Sequence, residues 1–257
     1  MRPRFVGLAI SQLLLISNTA PAQKDSASHA AYEPRSARAW IVPVAITAAV
    51  VLDPEVRELA LREHSRSLDH LSESVNPLGT ARVLVPALAL SYVTARLTHD
   101  GSLSVGTVNT AAAYAAADLV ESVLKPIIGR ERPHVEGNSR RFHPFTTKGD
   151  WHSFPSAHVA HIASIAEAIL AQTHSTPISV ISGTVVAVVG WDRLYEDQHW
   201  SSDVVATIAL SSSVSGATVR WLQRRNRSPT NTVARSPVPI SYSRISEFSC
   251  TPSSNCQ

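Results

Sequence analysis

The run "GWDRLYEDQHWSSDV", residues 190–204, sets Arg193, His199 and Asp203 in one short stretch, six positions from arginine to histidine and four from histidine to aspartate. A fixed cation, a ring nitrogen that can act as nucleophile or base, and a carboxylate that can orient the ring are the parts of an acid–base or nucleophilic site. On a helix, positions i and i+4 share a face, so Asp203 is expected to accept a hydrogen bond from one nitrogen of His199 and leave the other free. Taken alone, the pair reads more readily as an ion contact on a helix surface. Two further clusters change that.

In "SFPSAHVAH", residues 153–161, Pro155 and Ser156 open a predicted helix and His158 falls in its first turn. The unpaired amides of a helix start, aided by the helix dipole, favour an anion there. Ser156 alone would fit an N-cap, and His161, one turn further on, fits a core or supporting residue. In "KPIIGRERPH", residues 125–134, an Ala-rich helix ends with Lys125, Arg130 and Arg132. Cations suit a helix C-terminus on dipole grounds. Yet Lys125, Arg132 and Arg193 together place three fixed positive charges in the apolar part of the chain, and that many need an anion to face. A phosphoryl group matches guanidinium forks and an ammonium.

The elements that must hold these residues read as helices. Apolar segments of helical length fall at about 39–52, 81–98, 104–126, 156–172, 177–191 and 202–223, with an amphipathic segment from Pro54 to about Leu71. Asp53 followed by Pro54 predicts a helix start, since the carboxylate can cap free amides and proline fits the first helical position. β-Branched residues sit inside Ala-rich runs and do not alternate, so strand signals are few. The expected fold is an all-α bundle of about six or seven helices.

The chain has 257 residues, 44% of them hydrophobic, enough for one domain with a large core. Residues 1–22 have a basic start, an apolar stretch and small residues around Pro21, the layout of a secretory signal cleaved after Ala22. Its removal would leave 21 Lys and Arg against 20 Asp and Glu, so net charge offers nothing to a nucleic acid. Residues 23–38 read as a polar lead-in, 39–226 as the helical domain and 227–257 as a disordered tail rich in Ser, Thr, Pro and Arg. Cys250 and Cys256 both lie in that tail and could close a small loop in an oxidising compartment. Charge-free runs fall short of the roughly 20 residues a spanning helix needs. With a mean hydropathy of +0.02, the reading leans to an exported protein with core-buried or only marginally membrane-embedded helices.

The three clusters together resemble the signature of the type 2 phosphatidic acid phosphatase (PAP2) superfamily, which includes class A acid phosphatases, lipid phosphate phosphatases and vanadium-dependent haloperoxidases. Its blocks are a lysine separated by six residues from Arg-Pro, then Pro-Ser-Gly-His, then Ser-Arg with a histidine six and an aspartate ten residues beyond the arginine. Here they are Lys125 to Arg132-Pro133, Pro155-Ser156-Ala157-His158, and Asp192-Arg193 with His199 and Asp203, in the same order and spacing. Ala157 replaces glycine, and Asp192 replaces serine, where a carboxylate could repel phosphate unless paired or turned away.

The resemblance implies an all-α phosphatase acting on phosphate monoesters or on lipid or isoprenoid (di)phosphates, periplasmic or associated with a membrane of the cell envelope. It implies His199 as nucleophile through a phosphohistidine, Asp203 holding its ring, and His158 as acid to the leaving oxygen and base to water. Lys125, Arg132, Ser156, the Ala157 amide and Arg193 would hold the phosphoryl oxygens. No metal or other cofactor is implied, and vanadate is expected to inhibit. Two alternatives remain: a vanadate-dependent haloperoxidase on the same scaffold, and a metal-binding envelope protein using His158, His161, His199 and Asp203. The loop 134–151 adds Arg140, Arg141 and Lys148 as a candidate lid or headgroup contact.

Overall fold

A computed structural model describes residues 36–173 and 175–227, with side chains from Trp40 to Asn226. The predicted signal sequence, most of the predicted lead-in, both cysteines and almost all of the predicted tail lie outside the described residues. Among the described residues eight helices follow in order: α1 Ser36–Arg62, α2 Arg66–Val75, α3 Ala81–Leu97, α4 Gly101–Ile128, the single turn α5 Pro133–Glu136, α6 Ala157–Thr173, α7 Thr176–Tyr195 and α8 Ser201–Arg227. A 3-10 turn, Asn76–Gly79, joins α2 to α3. The only β-type pairing among the described residues is an isolated bridge between Arg130 and Phe142. The all-α expectation holds. The chain divides into two units, Met1–Leu222 and Gln223–Gln257, and the site belongs to the first.

Helix α6 packs against both α4 and α7. It is apolar on all sides, with Val159, Ala160, Ile162, Ala163, Ala166, Ala168 and Leu170 buried, the pattern of a helix enclosed by others. Val186 and Val189 of α7, Val204 and Ile208 of α8, and Val75 of α2 complete the main core. Alanines at 113 and 168 meet Val219 in a second cluster, where small side chains let the helices approach closely.

Helix ends follow local chemistry. Asp100 Oδ1 accepts from the Leu103 amide at 2.9 Å and caps α4, which ends at Gly129 with φ +59°. A Cβ on Gly129 would lie 1.9 Å from the His143 carbonyl oxygen, so only glycine fits.

The start predicted at Asp53-Pro54 does not occur. Helix α1 runs through both Pro43 and Pro54. Asp53 caps nothing local because distant groups claim its carboxylate: it is 1% exposed and bonds Arg130, Ser201 and Ser202. The helix also begins at Ser36, inside the predicted lead-in. The outer faces depart further from expectation. Leu90, Leu97, Leu119 and Ile181 are 68, 76, 65 and 64% exposed, so the core-buried reading holds for α6 and fails there.

Candidate active site

Five segments converge on one pocket: the end of α4, the loop to α5, the start of α6, the end of α7 and the loop between α7 and α8. His199 lies in that last loop, two residues before α8, and not on a helix. Its Nδ1 donates to the Ser153 carbonyl at 2.5 Å and stands 4.0 Å from Oδ2 of Asp203. The direct i to i+4 hydrogen bond is therefore replaced by a relay. Ser153 receives the ring proton on its carbonyl while its hydroxyl donates to Asp203 Oδ2 at 2.5 Å. Asp203 sits at the third position of α8 and reaches back to the Trp200 amide at 3.0 Å, closing the helix start and fixing the residue beside His199. With Nδ1 committed as donor, Nε2 is the nitrogen that carries the ring's lone pair.

Behind Asp203 stands Arg130. Its Nη1 donates to Asp203 Oδ1 at 2.5 Å and to Ser202 Oγ at 2.7 Å, and its Nη2 to Asp53 Oδ2 at 2.7 Å. This guanidinium balances two buried carboxylates and does not face the pocket. The loop carrying His199 is held at three more points. Arg57 donates Nε and Nη2 to the two oxygens of Asp197 at 2.7 and 2.8 Å, Arg132 bonds Gln198, and Trp200 Nε1 donates to the Glu131 carbonyl at 2.9 Å. The bidentate pair keeps Asp197 in a left-handed conformation, φ +50°, that costs free energy without such support.

The three cations named from spacing come together here. Lys125 pairs with buried Glu121 one turn earlier on α4. Arg193 bonds Asp192 and donates to Asn76 Oδ1 at 2.9 Å. Asp192 is thus paired, and Ser72 Oγ also lies 2.6 Å from its Oδ1, so the departure from the family's serine does not leave a bare carboxylate at the pocket. Ala157 opens α6, where a backbone amide lacks an intrahelical partner. Ser156 does not act as a cap: its hydroxyl is buried without a partner, as are His158 Nε2 and Arg132 Nε. Buried polar atoms are normally bonded. Three orphans of this kind beside two more cations describe a cradle for an oxyanion.

The electrostatics agree. Burial pushes His158 down to about 4, with the charges of Arg193, His161, Lys125 and Arg132 acting in the same direction. Burial also holds His199 well below the ordinary imidazole range; Arg132 and Lys125 add to this, and the Ser153 carbonyl opposes it. Arg132 is itself lowered by burial, with Arg193 pushing the same way. All three cations therefore act on both rings. Among the described residues no group of three or more His, Cys, Asp or Glu side chains is arranged to hold a metal. His161 turns away from the pocket to Gly79 and Asp118, so the four-ligand set suggested by sequence does not assemble. In the 134–151 loop, Arg141 pairs with Glu131 and Glu136 and lies over the Trp151 ring, while Arg140 and Lys148 are exposed.

Sequence reasoning missed Asp53, Arg57, Asn76 and Ser153. Asp53 did leave a signal, since a carboxylate in a run as apolar as 39–52 needs a partner from elsewhere.

Two histidines, a buried aspartate and three cations in an all-α bundle make an arrangement that can take up a phosphoryl group. Residues 106–227 match the family model described as PAP2 superfamily, the family whose signature the three blocks resemble. The match spans all three blocks, from Lys125 to Asp203. The structure is similar to the crystal structure of Aquifex aeolicus LpxE, with a TM-score of 0.54 and 20% identity over 66% of this chain and 95% of that one. It is also similar to a transmembrane PAP2 type phosphatidylglycerolphosphate phosphatase from Bacillus subtilis, at 0.56 and 18% over 86% and 98%. At such identities the likeness is one of fold. No curated protein matches the sequence significantly.

Proposed function

We propose that the protein is a metal-independent phosphatase of lipid phosphates, acting through a phosphohistidine at Nε2 of His199. The observation that carries this reading is the set of buried, unpartnered atoms Ser156 Oγ, His158 Nε2 and Arg132 Nε beside Lys125 and Arg193. Phosphoryl oxygens would take up those donors and the Ala157 amide, and the cations would offset charge in the transition state. The Nε2 lone pair attacks phosphorus in line as the ester P–O bond breaks, and His158 delivers a proton to the departing oxygen. In the second step His158 takes a proton from water, the oxygen attacks phosphorus, and the P–N bond returns its electrons to His199. Asp203 acts through Ser153, keeping the ring tautomer and orientation constant.

A lipid substrate is supported by the outer surface. Large apolar residues lie exposed on α1, α3, α4 and α7, among them Val51, Leu90, Leu119 and Ile181, the kind of surface that suits a membrane or another apolar partner. Helix α7, Thr176–Tyr195, is long and apolar enough to cross a bilayer. Association of these faces with a cell-envelope membrane, after export directed by residues 1–22, belongs to the same proposal. The test is phosphate release from a panel of lipid phosphates in mixed micelles and from soluble monoesters, with EDTA or orthovanadate added. Lipid phosphates should be preferred, EDTA should leave the rate unchanged, and vanadate should inhibit. Loss to EDTA with recovery on adding zinc or magnesium would overturn metal independence.

The lowered histidines also set a pH profile. Above about pH 4 His158 is neutral in the free enzyme, and His199 is neutral well below its ordinary range. His199 is then ready to attack, and the proton for the leaving oxygen must arrive with the substrate as its monoanion. The second ionisation of a phosphate ester lies near about 6. For a soluble monoester, kcat/KM is expected to be level between about pH 4 and 6 and to fall about tenfold per pH unit above that. These limbs belong to the coupled site. A kcat/KM that rises from pH 6 to 8 would contradict this.

A further inference from the structure

The turn Asn76–Gly79 lies outside residues 106–227 and carries no residue of the three motif blocks. It nevertheless touches the site at both ends. Asn76 Oδ1 accepts from Arg193 Nη2 at 2.9 Å. At the other end, buried Gly79 packs flat on His158: a Cβ placed on it would lie 2.6, 2.7 and 2.9 Å from Cβ, Cδ2 and Cγ of that histidine. Real side chains do not approach so closely, so position 79 must remain glycine for His158 to occupy its place.

Gly79 is in turn tied down from α6 and α4. Its carbonyl can only accept, so Nδ1 of His161, 2.9 Å away, donates to it. Nε2 of the same ring lies 2.8 Å from Oδ1 of Asp118 on α4. The His161 ring is buried and also meets Tyr114 at a centroid distance of 4.9 Å. A buried histidine bonded at both nitrogens is fully committed, and it stands one helical turn from His158 on the same helix.

We infer that Gly79, His161 and Asp118 form a brace that sets the position of His158 for proton delivery to the leaving group. The inference rests on the reading of His158 as general acid. The brace touches no reacting atom, so these are positioning residues. Their effect should therefore depend on how much the leaving oxygen needs a proton. An alkoxide must be protonated as it departs, whereas p-nitrophenolate leaves without help.

The experiment compares kcat/KM for an alkyl phosphate and for p-nitrophenyl phosphate in Gly79→Ala, His161→Phe, His161→Asn and His158→Ala. This parameter reports steps up to departure of the leaving group and is blind to hydrolysis of the phosphoenzyme. Gly79→Ala and His161→Phe should lose about 100-fold on the alkyl ester and less than about tenfold on the aryl ester, the scale of general acid catalysis. His161→Asn can place its amide nitrogen near the original Nδ1, and should recover most of the alkyl activity lost in His161→Phe. His158→Ala should show the same selectivity more strongly. If His158→Ala is selective and both brace variants are not, the brace is overturned while the phosphatase reading stands. Equal loss on both esters in the brace variants, with no rescue by asparagine, would show a merely structural role. If His158→Ala itself is unselective, the assignment of the acid fails, and the brace with it.

Discussion

His199→Ala is expected to lower turnover by roughly four orders of magnitude or more, the scale seen when a covalent nucleophile is removed. Nε2 is the only nitrogen of that ring left free, since Nδ1 is committed to the Ser153 carbonyl. The variant should keep its anion site, because Arg132 bonds Gln198, Lys125 bonds Glu121, Arg193 bonds Asp192, and the Ser156 amide donates to Thr207 Oγ1, none of them through His199. Rapid acid-labile phosphate trapping should label the wild type and leave the variant unlabelled, while affinity for inorganic phosphate, a ground-state ligand, changes by no more than about tenfold. Loss of the Ser153 contact leaves a buried carbonyl unpaired, at a cost of about 1–3 kcal/mol that a melting curve can register. A variant that turns over near the wild-type rate, or that still traps phosphate, would remove His199 from the mechanism.

The largest effect on stability is expected at Arg130. Its guanidinium stands between the Asp53 and Asp203 carboxylates, whose side chains are completely buried. Arg130→Leu keeps an apolar stem but strands two carboxylates away from water. Breaking one buried pair commonly costs about 3–5 kcal/mol. Two at once approach the whole stability of a domain, about 5–15 kcal/mol. Thermal unfolding in detergent should show a collapse of the transition or its loss. Asp53→Asn added to Arg130→Leu removes one of the stranded charges and should restore part of the stability. A leucine variant that melts within a degree or two of wild type would mean that this network contributes little. A double variant no more stable than the single one would mean that the cost is packing and not charge.

What the sequence determined by itself was the helical class and the local clusters that the fold brings together. Lys125, Arg132, Ser156, His158, Arg193, His199 and Asp203 were readable because each block is local. Spacing along a few residues decides which side chains share a helix end, and apolar periodicity without alternation excludes a sheet. Tertiary structure alone decided how those groups are joined. The pairing of His199 with Asp203 looked like a helical i to i+4 contact, yet the chain is not helical at 199, and Ser153, from 46 positions earlier, stands between them. Asp53 looked like a cap because local amides were the only partners visible in one dimension. It is instead the far end of a network through Arg130, since a buried carboxylate takes the strongest donor that packing brings to it. Asp192 looked like a threat to phosphate, yet it pairs with its neighbour Arg193 and meets Ser72, a contact that depends on α2 lying against α7. The same holds for Gly79. No pattern of residue types marks a glycine as the surface on which a histidine 79 positions later will rest. That contact exists only once the turn after α2 is folded against the start of α6.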